Sequence, residues 1–268
     1  MTLGQDRRSL RFAVVAVVVW AALSLAYILG PLGAGSHTWF ANIGTLLGAW
    51  SVVVLALLLW RSCAPGEMAR RIWLALFLGF LLWAIGDSLW AFYDLLPGGE
   101  IPYPSPADLA WVAGYPPLAA ALWLRYRSME VRPGRGQRLA LSLIVLVGLV
   151  VIGYVLLPIM TYPGYDRMIE QTLDVLYPAG GFILFAGSVM VAAAVRGGRL
   201  SFPWQIIALG IAVLSVADLV FAYATWHELY VIEGTPNLIT ILADVPYMGA
   251  YAVVAMGEFV LGRLEGTF

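Results

Sequence analysis

Eight apolar stretches, each long enough for a membrane-crossing helix, constrain this chain more than any other feature. A helix needs roughly 20 apolar residues to cross the hydrocarbon core. Such runs lie at about 12–30, 38–60, 72–95, 107–124, 139–158, 170–195, 203–225 and 238–261. The fourth is the weakest, because Asp108 opens it and Pro116-Pro117 interrupts it. Proline is tolerated in a membrane helix where neighbours satisfy the freed carbonyl. Of the 268 residues, 62% are hydrophobic and 12% are charged, against about 25% charged in a soluble domain. A soluble globule could not hide that much apolar surface, and disorder is excluded on the same ground. The expected fold is all-α: a polytopic integral membrane protein of eight transmembrane helices.

The charges set an orientation. All 15 basic residues are Arg, so a lysine Schiff base, a P-loop and a lysine nucleophile are all excluded. Arg7, Arg8 and Arg11 precede the first run, and Arg61, Arg70 and Arg71 lie between the second and third. Arg125, Arg127, Arg132, Arg135 and Arg138 follow the fourth, Arg196 and Arg199 the sixth, and Arg263 the eighth. The alternate loops carry Arg167 alone. By the positive-inside rule both termini are cytoplasmic, in a multi-pass protein of the cell (inner) membrane. The single cysteine, Cys63, then faces the reducing side and leaves no internal disulfide or Cys-rich metal site. The net charge of −1 gives no footprint for nucleic acid. The segment DRRSLRF faintly resembles a twin-arginine signal, but the long apolar run lacks a small-x-small cleavage site and reads as a membrane span.

The chain carries an internal repeat. ADLAWVAGYPPLAAALWLRYR from Ala107 aligns without a gap on ADVPYMGAYAVVAMGEFVLGR from Ala243. Asp108 pairs with Asp244, Trp111 with Tyr247, Tyr115 with Tyr251 and Arg127 with Arg263. GDSLWAFY from Gly86 aligns on ADLVFAYA from Ala217, pairing Asp87 with Asp218, and Asn42 falls near the position of Asp174. Residues 1–130 and 131–268 therefore read as two tandem four-helix units. Four spans is an even number, so both units point the same way.

The informative residues cluster at the outer ends of the runs. Asp87, Trp90 and Asp94 share the spacing i, i+3, i+7 with Asp108, Trp111 and Tyr115, and with Asp244, Tyr247 and Tyr251. Asp174 and Tyr177 begin the same pattern, and Asp218 is followed by the Ala222-Tyr223 pair. That spacing puts each set on one helix face. A chamber lined by these carboxylates and aromatics is the expected ligand site. Asp108, Asp174 and Asp244 also stand at helix starts, where aspartate is an ordinary cap, and tyrosine and tryptophan form ordinary interfacial belts. Asp87 and Asp218 fit neither reading. They sit near helix C-terminal ends, inside the hydrocarbon, where a carboxylate costs at least ~2.5–3.5 kcal/mol. Arg167 is the one outer counter-charge available to them.

His37 and His227 lack ligand spacing for zinc, whereas several Asp oxygens could hold a hard cation such as calcium. No metal or cofactor is assigned. GxSxG and HExxH motifs are absent. The small residues around Gly180-Gly181 and Gly187 read as close helix packing.

From Trp83 to Leu118, WAIGDSLWAFYDLLPGGEIPYPSPADLAWVAGYPPL resembles the N-terminal multi-helix membrane regions of bacterial signalling proteins. Those regions precede a GGDEF, EAL or histidine-kinase output domain. The likeness rests on Pro102, Pro104, Ser105, Ala107, Asp108, Trp111, Gly114, Tyr115 and Pro116. It implies signal transduction by a sensor, with a cytoplasmic signalling partner; the sequence departs from the pattern in carrying no output domain before Phe268, so a stand-alone relative or a truncated sensor module is expected. The leading expectation is thus a sensory module that binds a small hydrophobic molecule or lipid and couples binding to the cytoplasmic side. The Arg-rich segment 125–138 would contact anionic lipid or a partner. An aspartate-dependent lipid hydrolase is the alternative: Asp87 and Asp218 as catalytic acids on symmetric helices suit it, and lysoplasmalogenase-like hydrolases resemble this eight-helix layout. A proton-coupled small-molecule transporter is the third reading.

Overall fold

Each apolar run forms one helix. The computed structural model describes residues 7–33, 35–96, 102–129, 134–195, 200–232 and 234–268. Its helices are α1 (Arg7–Leu29), α2 (Ser36–Ser62), α3 (Met68–Asp94), α4 (Pro106–Arg127), α5 (Arg135–Thr161), α6 (Met168–Ala194), α7 (Ser201–Trp226) and α8 (Leu238–Glu265). No strand occurs among the described residues. Most helices outrun their apolar cores by a few residues at each end. Local chemistry sets the ends. Pro106 occupies the first turn of α4, where its missing N–H costs nothing. The Asn237 side chain accepts from the Thr240 N–H at 2.9 Å to open α8, and Gly266, at φ 76°, closes it in the left-handed conformation.

Seven of these helices are long and apolar enough to cross a membrane. The exception is α4, whose 22 residues include Asp108, Arg125, Arg127 and the internal pair Pro116-Pro117. Its neighbours complete it: α4 packs between α3 and α6. The helices form a closed ring in the order α2, α3, α4, α6, α7, α8, with α3 and α7 facing each other across its short axis. This is a helical membrane bundle with apolar side chains filling the ring and apolar side chains covering its outside.

Residues that the sequence alignment pairs meet one another in space. Trp73 lies against its counterpart Trp204, with ring centroids 5.4 Å apart. Trp90 lies edge-on to its counterpart Phe221 at 6.3 Å. Between these two levels, Asp87 and Asp218 are within electrostatic reach of each other. Equivalent glycines also form equivalent notches. A Cβ on Gly79 would meet Leu118 at 2.5 Å, and one on Gly210 would meet Val254 at 2.5 Å. A Cβ on Gly48 or on Gly180 would lie 2.7 Å from Tyr251 or Tyr115, respectively. These contacts define a pseudo-two-fold axis running between α3 and α7. The boundary between the units, at residues 130–131, lies outside the described residues.

The peripheral helices break the symmetry. α1 closes over the seam between α2 and α8: Trp20 Nε1 donates to the Val245 carbonyl at 3.2 Å, and Phe12 stacks on Phe259 at 4.1 Å. Its counterpart α5 packs on α6 but not along α4. The buried residues of α5 are Ile152, Val155 and Ile159, all in the half nearer the aspartates.

Candidate ligand site at the acidic end

The site is built on α3, α4, α7 and α8, at the ends of the helices that carry the aspartates. Asp87 is buried and accepts three hydrogen bonds: from Trp111 Nε1 at 3.0 Å, from the Tyr247 hydroxyl at 3.1 Å and from the Tyr251 hydroxyl at 2.7 Å. Trp111 comes from α4 and the tyrosines from α8, so one carboxylate ties both units together. Hydrogen bonds to a charged acceptor contribute about 1.5–3 kcal/mol each.

Asp218 is its opposite. No described residue donates to its carboxyl, although Tyr115, Tyr247 and Tyr251 lie within its electrostatic reach. The repeat explains why. α4 and α8 supply four donors at this level, namely Trp111, Tyr115, Tyr247 and Tyr251. Asp87 takes three, and the Tyr115 hydroxyl turns to the Tyr177 carbonyl at 3.4 Å. Asp218 is enclosed by protein yet keeps free surface, as do Trp90, Trp111, Tyr115, Tyr177, Phe221 and Tyr247 around it. One unpaired acid thus stands among partly exposed aromatic side chains. The aromatics pack on one another: Trp90 packs on Trp111 at 5.7 Å, Trp111 meets Tyr177 at 6.4 Å, and Trp83 meets Tyr115 at 5.4 Å.

The other aspartates do not join this group as expected. Asp108 folds back on its own helix start, accepting from the Ser105 N–H at 2.5 Å and the Ser105 hydroxyl at 2.8 Å, and it also accepts from the Tyr177 hydroxyl. It caps α4 and reaches the group through Tyr177. Asp174 accepts from the hydroxyls of Tyr103 and Tyr165, the latter at 2.6 Å. Asp244 accepts from Tyr27 at 2.5 Å and Tyr230 at 2.9 Å. Asp94 accepts from Asn42 Nδ2 at 2.6 Å, at the seam of α2 and α3. Tyr223 packs against His227 with centroids 4.4 Å apart, because five residues beyond Asp218 the helix has turned it to another face. The expected single shared chamber is therefore corrected to the Asp87–Asp218 pair with its aromatics and separate Tyr–Asp clusters around it.

Arg167 does not reach a buried acid either. It pairs with Glu170, donating from Nε to Oε1 at 2.7 Å, and it also donates to the Tyr103 carbonyl at 2.6 Å. Burial and the neighbouring Asp174 push the Tyr103 hydroxyl well above its usual range, and the same two causes raise Tyr165. Both loop tyrosines therefore stay protonated as donors. No group of three His, Cys, Asp or Glu residues among those described is placed to hold a metal ion. The His37 ring bonds to the Tyr27 carbonyl.

Sequence reasoning missed the loop and peripheral donors Tyr27, Tyr103, Tyr165 and Tyr230, whose partners lie on distant segments. It also missed Glu258, which is fully buried in α8 with neither carboxyl oxygen paired among the described residues. A lone Glu in an apolar run, opposite Leu122 in the repeat, was a readable signal.

Comparison with protein-family models, curated proteins and solved structures returns no match. Fold and site define the class directly: a polytopic all-helical membrane protein in contact with the lipid bilayer.

Proposed function

We propose that this chain is a sensory ligand-binding module of the bacterial inner membrane, taking a small molecule among the aromatic side chains around the unpaired Asp218. That unpaired acid among partly open aromatics is the observation that carries the reading. The aromatic faces suit a flat apolar body, and Asp218 suits a hydrogen-bond donor such as a quinol O–H or an ammonium. Binding there would press on α3 and α7 together, and these helices run to the arginine-rich end, where a signalling partner would read the change. The likeness of Trp83–Leu118 to membrane regions of signalling proteins agrees with this reading. The test is extraction of the purified protein and mass-spectrometric identification of what it carries. One small molecule per chain is expected in the wild type, and about tenfold less in Asp218→Leu, the effect of losing ~1.4 kcal/mol of affinity. Equal carriage by both proteins would sink the proposal.

The unequal acids also favour a second reading. Two carboxyls in contrasting surroundings can divide acid and base roles, which is the requirement of an aspartate-dependent lipid hydrolase. Product release from lysophospholipid, abolished in both Asp87→Asn and Asp218→Asn, would select it.

The orientation, with both termini cytoplasmic, is testable through the one native thiol. Cys63 follows α2 at the arginine-rich end, half-buried, where burial and then Glu265 and Glu67 push its thiol up. The thiolate is the reactive form, so modification is slow even from the correct side. A membrane-impermeant maleimide is expected to spare Cys63 in intact spheroplasts and to label it after lysis. Labelling of intact cells at the lysed rate would reverse the topology.

A further inference from the structure

At the arginine-rich end, α5 stands away from its neighbours and leaves a crevice of about 380 Å³ between α5, α6 and α7. Its walls are apolar, including Leu141 and Ile144 of α5, Ala192 of α6 and Leu209 of α7. Leu209 is among the exposed apolar residues, so the crevice opens toward the surrounding bilayer. It spans the two helical turns from Gln137 to Ile144, a length of ~10 Å at 1.5 Å per residue. Gln137 guards the mouth, its Nε2 donating to the Ala193 carbonyl at 3.2 Å. In the wall sits Ser188, buried at 1% exposure, whose hydroxyl has no hydrogen-bond partner among the described residues. Beside the mouth, Arg138 directly follows Gln137, and the first turn of α5 holds no acidic residue.

We propose that this crevice binds one anionic glycerophospholipid of the leaflet at the arginine-rich end. The apolar walls take an acyl chain. The ester carbonyl supplies the acceptor that the Ser188 hydroxyl lacks. The phosphate meets Arg138, since a basic residue near a membrane surface attracts anionic headgroups by about 1 kcal/mol. The site is independent of the acidic one, which lies at the other end of the bundle.

Native mass spectrometry of the full chain in mild detergent tests this, with dioleoyl phosphatidylglycerol, dioleoyl phosphatidylcholine and oleate as probes. One phosphatidylglycerol is expected to stay bound, retained about fivefold more than phosphatidylcholine, as ~1 kcal/mol from one arginine implies. Arg138→Gln should remove that preference. Ser188→Ala should lower retention of both phospholipids about fivefold, the effect of one net hydrogen bond of ~1 kcal/mol. Ala192→Trp should fill the crevice and abolish retention. Should that variant fail to fold, Ser188→Ala still decides, since it removes one unpaired oxygen and nothing else. Unchanged retention in Ser188→Ala, or oleate held as well as phosphatidylglycerol, would overturn the assignment.

Discussion

Asp87→Ala is expected to destabilise the protein by about 4 kcal/mol, whereas Asp218→Leu, at the symmetry-related position, is expected to stabilise it by about 1–2 kcal/mol. The first figure follows from three donors, the buried Tyr251 and the part-buried Trp111 and Tyr247, each stranded at a cost of ~1–3 kcal/mol. These donors also join α4 to α8, so their loss loosens the ring itself. The second follows from replacing an acid that no described residue satisfies with an apolar side chain. An unpartnered carboxyl at that depth costs at least ~2.5–3.5 kcal/mol, and the leucine methyls would cover part of the surrounding aromatic surface. Unfolding in mixed micelles, followed by tryptophan fluorescence, measures both. Equal losses in the two variants would show that the acids share their donors evenly. A stabilised Asp218→Leu that no longer carries its small molecule would be the ordinary exchange of stability for function.

The second large effect belongs to the α7–α8 interface. A Cβ on Gly257 would lie 2.9 Å from both the Ile207 nitrogen and the Pro203 carbonyl oxygen, and 2.7 Å from Ile207 Cγ1. Two of these neighbours are backbone, which cannot swing aside as a side chain can. Gly257→Val therefore forces the helices apart, at a cost of about 3 kcal/mol, the upper part of the overpacking range. Gly153→Ala is the matched control. A Cβ there meets nothing within 4 Å, and a lipid-facing helix gains up to ~1 kcal/mol of intrinsic propensity. Fluorescence-detected size exclusion after heating should show Gly257→Val lost about 10 °C below the control. Coincident curves would mean that the two helices do not meet backbone to backbone.

The helices were legible because length and apolarity suffice to specify them in a bilayer, and every apolar run became one helix. The Asp87–Asp218 pair was legible too, because the repeat aligned them and a two-fold arrangement brings matched residues together. The rest of the site was less so. Asp94, Asp174 and Asp244 stand at heights comparable to the Asp87–Asp218 pair, but spacing along one helix fixes a face without saying which neighbour that face meets. Position around the ring sends each of them to a different partner: Asn42, Tyr103 with Tyr165, and Tyr27 with Tyr230. Tyr223 was misplaced for a simpler reason, since five residues along a helix is 140° of rotation away from Asp218. The standing-off of α5 leaves no trace in sequence, because a lipid-facing helix is apolar whichever seam it covers.

The contacts of Trp73 with Trp204 and of Trp90 with Phe221 have one more consequence. A residue that touches its own counterpart is the mark of an isologous interface, the kind that joins two identical chains. This polypeptide holds such an interface within itself, as a covalently fused dimer. Identical subunits must change together, whereas fused halves can diverge one at a time. The halves differ at the level of the paired aspartates, where Asp87 accepts three hydrogen bonds and Asp218 accepts none from the described residues.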